Sequence, residues 1–150
     1  MKAIILTYAP ISDEERDILK RTDIFKLALN QHSKDLNPHA RIITDYILLK
    51  VYKSCPERII SVREKFKSYS SRVEYPEIEF KGSTIIAAAD YLISKNYDEI
   101  LIVGDNKVNS VEFRNKVNEK MDIISSEAKI FQYTNGNFNL PVRKIADFAG

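Results

Sequence analysis

Short runs of branched apolar residues alternate with helical segments along the chain, and this alternation constrains the fold more than any other feature. A run such as KAIILT at residues 2–7 is typical of a strand buried on both faces. The predicted strands are residues 2–7, 24–29, 41–44, 58–62, 99–103 and 128–133, and the predicted helices are residues 12–21, 31–36, 46–53, 83–95 and 109–121. Strands that alternate with helices build parallel sheets with helices on both faces. We therefore predict an α/β fold in three α/β/α layers, with a mainly parallel sheet of about six strands.

The remaining segments carry weaker signals. Residues 64–77 are charged and rich in serine and are predicted to form a loop, whereas residues 78–80 are predicted to be a short extended piece. The tail at residues 134–150 is predicted to be irregular. Because no repeat or linker interrupts the pattern, residues 1–150 are predicted to form one domain.

Glycine is scarce in this chain, and its scarcity excludes whole classes of phosphate site. There are four glycines in 150 residues, against an average usage of about 7%. No two of them are close together, which excludes both the G-x-G-x-x-G fingerprint and the Walker loop. The net charge of +2 gives little attraction to nucleic acid or to a membrane surface. We therefore expect a small-molecule partner and no nucleic acid.

The cysteine content and the N-terminal sequence bear on the location of the protein. Cys55 is the single cysteine, which excludes an intramolecular disulfide and fits a reducing compartment. The apolar run at the N-terminus is too short for a signal peptide, and no window reaches the roughly 18 apolar residues of a membrane span. These features predict a cytoplasmic protein without a membrane span. They leave homo-oligomer formation open.

Ligands of open α/β sheets bind beyond the carboxyl ends of the strands, so the residues that follow each predicted strand are the first candidates for a site. Most of them carry hydroxyl, amide or carboxylate groups, which suit ribose, base and sugar hydroxyls. The candidate set is Thr7, Tyr8, Asn30, Gln31, His32, Asp45, Gly82, Ser83, Thr84, Gly104, Asp105, Asn106, Thr134, Asn135 and Gly136. The backbone amides of the helix that opens at Ser83 suit a phosphate. The alternative is that turns favour these residue types without any ligand.

Three of these residues could carry chemistry. Asp45 and Asp105 could hold Mg²⁺ with a diphosphate, because carboxylate oxygens are ligands that Mg²⁺ prefers. The alternative is that both aspartates cap helices at strand ends. His32 could act as a general base near neutral pH, or it could be an ordinary surface histidine.

A local group of basic residues follows the fourth predicted strand. It comprises Arg63, Lys65, Lys67 and Arg72. Long loops of compact domains often act as lids, so this one could close over an anionic ligand. The alternative is a solvated loop without a binding role.

Several motifs resemble one group of proteins. Gly82-Ser83 opens a helix that contains the run Ala87–Ala89, and the stretch Tyr97–Asp105 is an apolar strand that ends in Gly-Asp. This arrangement resembles the group that contains the bacterial motility accessory factors and the archaeal hydroxymethylpterin diphosphokinases. That group shares a Rossmann-like fold with the bacterial sialyltransferases of Campylobacter type.

Further matches follow in the same order along most of the chain. Leu27–Asn30 resembles a strand ending in an asparagine that touches the nucleotide, and Ile42–Asp45, preceded by Pro38, resembles a later strand with its aspartate. Tyr133–Gly136 resembles a late Thr-x-Gly turn. The resemblance implies a Rossmann-like fold with a nucleotide site built from the residues listed above.

The chain departs from that group in three places. Thr7, Tyr8 and Ala9 stand where the group has Gly-x-Gly, and side chains there hinder the approach of backbone to phosphate. Asn106 takes the position of the group's late aspartate. The two histidines, His32 and His39, both lie early in the chain, whereas the sialyltransferases carry a catalytic histidine in a later lid.

Three functions are therefore compatible with the sequence. The first is a glycosyltransferase-like protein that binds a nucleotide or nucleotide-sugar in surface-glycan metabolism. The second is a degenerate, non-catalytic binding or assembly module of the same fold. The third is an Mg²⁺-dependent diphosphotransferase that acts on a pterin. Whether the protein is an enzyme, a glycosyl- or diphosphotransferase, stays open at this point.

Overall fold

Seven strands and five α-helices are present in the computed structural model, which describes residues 1–8, 10–52, 57–66, 73–104, 111–133 and 138–150. The strands are β1 (Lys2–Leu6), β2 (Phe25–Leu29), β3 (Ala40–Ile42), β4 (Arg58–Ile60), β5 (Val73–Glu74), β6 (Glu99–Val103) and β7 (Lys129–Gln132). The helices are α1 (Asp13–Arg21), α2 (Tyr46–Tyr52), α3 (Thr84–Ser94), α4 (Val111–Ile124) and α5 (Ile145–Ala149).

All seven strands belong to one parallel sheet, in the order β5-β4-β3-β2-β1-β6-β7. Strand β1 lies inside the sheet, where Leu6 is opposite Ala28 of β2 and Val103 of β6. The chain builds outward from β1 to β5 and then crosses back to place β6 on the other side of β1. This reversal is the topological switch point of a doubly wound sheet. The predicted α/β class with a Rossmann-like parallel sheet is therefore confirmed.

The sheet separates two apolar layers, and the central strands are buried on both faces. Ile5 and Leu27 pack with α3 and α4 on one face, whereas Ile4 and Leu6 pack with α1 and α5 on the other. All four side chains are fully buried. Because burying one such side chain contributes about 1.5–3 kcal/mol, these short strands account for much of the stability of the fold.

Helix α1 is defined by side chains at both of its ends. Ser12 and Glu15 form the predicted capping box: Ser12 Oγ accepts the Glu15 N–H, and Glu15 Oε1 accepts the Ser12 N–H, both at 3.2 Å. At the other end, the Nζ of Lys26 donates to the carbonyl of Leu19 at 2.7 Å. Lys26 is 2% exposed, and burial lowers the pKa of its ammonium group, while Asp23 raises it. A cation at a helix C-terminus is favourable because it faces unpaired carbonyls.

The sheet has seven strands, whereas the sequence predicted about six. The additional strand is β5, which has two residues and lies within the segment 64–77 that was predicted as a loop. Residues 78–80, predicted as an extended piece, are not part of the sheet. A strand of two residues is too short to show the alternation on which prediction depends.

Two further predictions about local structure were wrong. The tail predicted as irregular contains α5, in which Ile145 and Phe148 are both 0% exposed. A helix of five residues is too short to display periodicity, and burial of these two side chains stabilises it instead. The segment 31–36 forms only a 3-10 turn at Lys34–Leu36, which lies between Ser33 and Asn37, both with positive φ.

Across the described ranges, no helix combines the length and the apolar character that crossing a bilayer requires. Cys55 lies outside the described residues.

His39 gives the fold a pH dependence with a defined sign. Its Nδ1 accepts the backbone N–H of Lys26 at 3.0 Å, which requires the neutral imidazole. Burial, followed by the charge of Lys26, lowers the pKa of His39 from its usual 6.5, whereas Asp23 raises it. Because the unfolded chain then binds a proton more readily than the folded one, the contribution is complete above pH 6.5 and is lost as the pH falls through the folded pKa.

We expect His39→Asn to remove this part of the pH dependence, because the asparagine Oδ1 can accept the same N–H and does not titrate. Urea unfolding of the variant and the wild type between about pH 5 and pH 8 measures the difference. An NMR titration of the His39 ring should give a pKa below 6.5. Identical pH dependence in the two proteins, or a ring pKa above that value, would contradict this assignment.

Candidate functional site

The residues that directly follow β1 and β6 are in contact at the switch point. Thr7 N–H donates to the Val103 carbonyl at 3.0 Å. Gly104 has a φ of +140°, and a Cβ added there would overlap the Thr7 Cγ2 methyl and lie 2.8 Å from the Tyr8 carbonyl oxygen. The bare Cα of Gly104 therefore allows the β1 loop to pack directly against it. We call Thr7, Tyr8 and Gly104 the floor of the switch point, because doubly wound sheets bind ligands beyond the strand ends at such a reversal.

Polar side chains from β2, β3 and α3 converge beside this floor. Asn30 Oδ1 accepts the Thr44 N–H at 3.1 Å, and the hydroxyl oxygens of Thr44 and Thr84 are hydrogen-bonded at 2.8 Å. Ser83 is the N-cap of α3, and its Oγ accepts the Ile86 N–H at 3.4 Å. We call Asn30, Thr44, Ser83 and Thr84 the carboxyl-edge cluster. It brings together residues that are up to 54 positions apart in sequence, from 30 to 84.

Buried Arg41 sets the shape of the loop that carries Asn30. Its side chain is 0% exposed, and its Nη1 donates to the carbonyls of Asn30 at 2.7 Å and His32 at 2.6 Å. Its Nε and Nη2 donate to the two carboxylate oxygens of Glu57 at 2.6 and 3.1 Å. The guanidinium carbon also lies 4.8 Å from the centre of the Tyr52 ring. Asn30 is thereby held with a φ of +47°, a left-handed conformation that asparagine tolerates better than most residues.

Sequence reasoning missed the role of Arg41. The signal was present, because one arginine stands inside the apolar strand ARIIT at residues 40–44. A charge in a buried strand needs a charged partner nearby. The partner, Glu57, is 16 residues further along the chain, so local sequence patterns do not reveal the pair.

Arg63 reaches the same edge from the end of β4. Its Nη1 donates to the Thr44 carbonyl at 3.3 Å. Its guanidinium carbon lies 5.5 Å from the centre of the Phe66 ring and 5.2 Å from that of Phe80. Both rings therefore restrict this side chain. In the described part of the chain, no carboxylate forms an ion pair with Arg63.

Tyr8 and His32 lie on the α1 side of the edge, away from the carboxyl-edge cluster. Their rings contact edge to face, with centroids 6.4 Å apart, and both line a cavity of about 150 Å³ together with Arg16 and Asp35. Arg16 and Asp35 form an ion pair across this cavity. Tyr8 is 51% exposed. Tyr8 thus lines the cavity on the α1 side of the sheet.

The predicted metal ligands are only partly described. Asp45 Oδ1 accepts the Ile47 N–H at 2.9 Å, which is the capping role that the sequence allowed as the alternative. Asp105 lies outside the described residues, so its joint role with Asp45 in binding Mg²⁺ stays a prediction. Where the structure describes the chain, no group of three or more histidine, cysteine, aspartate or glutamate residues could hold a metal ion.

Some of the other predicted ligand-binding residues lie within the described ranges and some lie outside them. Gln31 lies exposed in the loop after Asn30, and Gly82 has a φ of +81° just before α3. The remaining members lie outside the described ranges; they are Asn106, Thr134, Asn135 and Gly136. The described structure thus brings Asn30, Ser83 and Thr84 together. The other predicted residues lie elsewhere at this edge or outside the described ranges.

A larger cavity lies at the opposite end of the sheet. It has a volume of about 600 Å³ and is lined by the turn after α4, by the start of β7 and by residues 139–141. Its Asp98 carboxylate is bound to the N-terminal ammonium group at 2.5 Å, and Glu99 lies 4.0 Å from Arg143. We place the candidate site at the carboxyl edge because parallel sheets bind ligands there and because polar side chains from three elements converge there.

We expect Gly104→Ala to destabilise the protein more than Gly82→Ala does. Both glycines have positive φ, but only at Gly104 would the new Cβ meet other atoms. The expected losses in free energy of unfolding are about 1 kcal/mol at Gly82 and about 2–4 kcal/mol at Gly104. Urea unfolding measures both values. Equal losses would show that the contact with Thr7 is not tight.

We expect Arg41→Met to lower the free energy of unfolding by about 3–5 kcal/mol, because it removes the buried donors that face the Glu57 carboxylate and the carbonyls of Asn30 and His32. The double variant with Glu57→Met should recover part of this loss. Arg58→Met is the matched control, since Arg58 pairs with Glu74 but is 59% exposed, and its loss should stay below about 1 kcal/mol. Similar losses in Arg41→Met and Arg58→Met would contradict the central role of Arg41.

Comparison with known proteins does not add to this evidence. No family model, no curated protein and no solved structure matches the chain. The resemblance to the motility accessory factor group therefore stays a prediction, and any function must be inferred from the geometry of the carboxyl edge.

Proposed function

We propose that the protein binds a nucleotide or a nucleotide-sugar at the carboxyl edge of its sheet. One observation carries this proposal: Asn30, Thr44 and Thr84, from three different elements, form a connected polar cluster beside the switch point. Switch-point crevices are the usual ligand sites of doubly wound sheets. A ligand with a ribose, a base and phosphates needs such neutral hydrogen-bonding groups and an anion-binding element side by side.

The cluster offers suitable donors and acceptors. Asn30 uses its Oδ1 to bind Thr44, and its two Nδ2 donors have no partner among the described residues. The Thr44 Oγ1 lies 2.8 Å from the Thr84 Oγ1 and donates to the Asn30 Oδ1 at 3.5 Å, so both threonine oxygens keep lone pairs that can accept a hydrogen bond from a ligand. Such a set suits ribose hydroxyls or the carbonyl of a pyrimidine better than an apolar ligand.

The start of α3 suits the charged part of the ligand. The first amides of a helix point outward, and the helix dipole favours an anion at this end. Helix α3 has 11 residues and begins directly at Ser83 and Thr84, which belong to the cluster. A nucleotide could therefore place its base and ribose at Asn30 and its phosphate near α3.

We propose binding of the ligand and no chemical reaction on it. A place among glycosyltransferase-like proteins of surface-glycan metabolism depends on the sequence resemblance, as does transfer of a diphosphate to a pterin with Mg²⁺. Both activities need residues after β6, where Asp105 lies outside the described chain.

Thermal unfolding with CMP, UDP, GDP and their sugar conjugates tests the proposal. With a ligand at tenfold its Kd, the gain is about 1.4 kcal/mol, which should raise the Tm by about 3–5 °C. We expect Asn30→Asp to abolish the rise, because it keeps the Oδ1 acceptor and replaces the two donors by a negative charge. Asn37→Asp is the matched control, since Asn37 also has a positive φ but precedes β3 at the other end of the sheet. No rise with any of these ligands at millimolar concentration would falsify the proposal.

A further inference from the structure

Arg63 is a charged side chain that is held by several contacts but forms no ion pair within the described residues. Its stem leaves the end of β4, and the guanidinium lies against both Phe66 and Phe80. Two aromatic contacts and the bond to the Thr44 carbonyl restrict the rotamers that this long side chain can adopt. Ordering an arginine in advance lowers the entropy that is lost when it binds an anion.

Most of the donors of this guanidinium remain available. An arginine has five N–H donors, and the described structure uses one Nη1 donor of Arg63, on the Thr44 carbonyl. Glu64 and Glu77 line a separate cavity of about 230 Å³ at the same end of the sheet, and neither forms an ion pair with Arg63 in the described structure. A buried or half-buried arginine without a carboxylate is suited to an external anion.

The position of Arg63 connects it to the proposed site through a single residue. The Thr44 carbonyl accepts from Arg63, while the Thr44 N–H and hydroxyl belong to the carboxyl-edge cluster. The guanidinium is therefore linked to Asn30 and Thr84 through Thr44 alone, at the same edge of the sheet. It adds a full positive charge where the α3 terminus supplies only a partial one.

We propose that Arg63 binds the phosphate of the nucleotide, so that the site selects phosphorylated nucleotides over the corresponding nucleosides. This inference rests on the proposed function and adds the group that recognises the charged part of the ligand. The planar guanidinium can donate two parallel hydrogen bonds to two phosphate oxygens, which a lysine at this place could not do.

Paired titrations of the full chain test the inference. The probes are CMP with cytidine, UMP with uridine and GMP with guanosine, followed by NMR of the backbone amides. In the wild type, at least one monophosphate should bind about tenfold more tightly than its nucleoside, which corresponds to about 1.4 kcal/mol. Arg63→Gln should weaken that monophosphate about tenfold and leave the nucleoside unchanged, because only the charged contact is lost.

Two further variants control for effects on the fold and on net charge. Arg58→Gln removes one positive charge from the first residue of β4, at the opposite end of the sheet, and should leave both affinities as in the wild type. Arg63→Lys keeps the charge without the planar group and should weaken the monophosphate by a smaller factor. It also carries the test if Arg63→Gln does not fold.

The outcomes separate the two proposals. If the wild type binds a nucleoside and its monophosphate equally, or if both Arg63 variants keep the full preference for the monophosphate, the inference is wrong while the proposed function stands. If an Arg63 variant weakens both ligands equally, Arg63 acts through the structure of the edge and not on the phosphate, and the inference is again wrong. If the wild type binds none of the six probes, the inference is wrong, and the proposed function is also overturned if UDP, GDP and the sugar conjugates fail to raise the Tm.

Discussion

The buried ion pair of Arg41 and Glu57 is the interaction on which the carboxyl edge of the sheet depends. A guanidinium without solvent contact is tolerated only when its charge and its donors are matched, and here a carboxylate and two backbone carbonyls match them. The carbonyls belong to Asn30 and His32, so the loop after β2 must turn inward to meet the cation. An ion pair of this kind adds little net stability relative to apolar packing, but it allows few alternative loop conformations.

From this pair, hydrogen bonds lead outward to the surface. Arg41 fixes the backbone of Asn30, Asn30 binds Thr44, and Thr44 contacts both Thr84 and Arg63. Each link joins a different strand or helix, so the proposed site is built by tertiary contacts rather than by one motif. The polar groups at the rim are thereby held in place by the core, so less conformational entropy is lost when a ligand binds.

The sequence predicted the parts of the structure that depend on local patterns. The apolar runs of β1 and β6 and the capping box at Ser12 are local signals, and the structure agrees with them. Strand β5 and helix α5 were missed because they are short and are stabilised by burial against distant residues. The pairing of Arg41 with Glu57 and the reach of Arg63 to Thr44 depend on strand order, which one sequence does not reveal. Asn30 and Ser83 were found because strand ends and helix starts mark them.

The contact between Thr7 and Gly104 has a consequence for sequence variation. The two positions share one methyl-sized volume, because the threonine methyl fills the space that a side chain at position 104 would need. A smaller residue at position 7 would relieve this methyl contact, but a Cβ at position 104 would still lie 2.8 Å from the Tyr8 carbonyl oxygen, so glycine is expected to stay at position 104 while position 7 varies. The φ of +140° at Gly104 stays as a separate, backbone requirement. A glycine kept at position 104 would thus record the closeness of two chain segments that are nearly 100 residues apart, from 7 to 104.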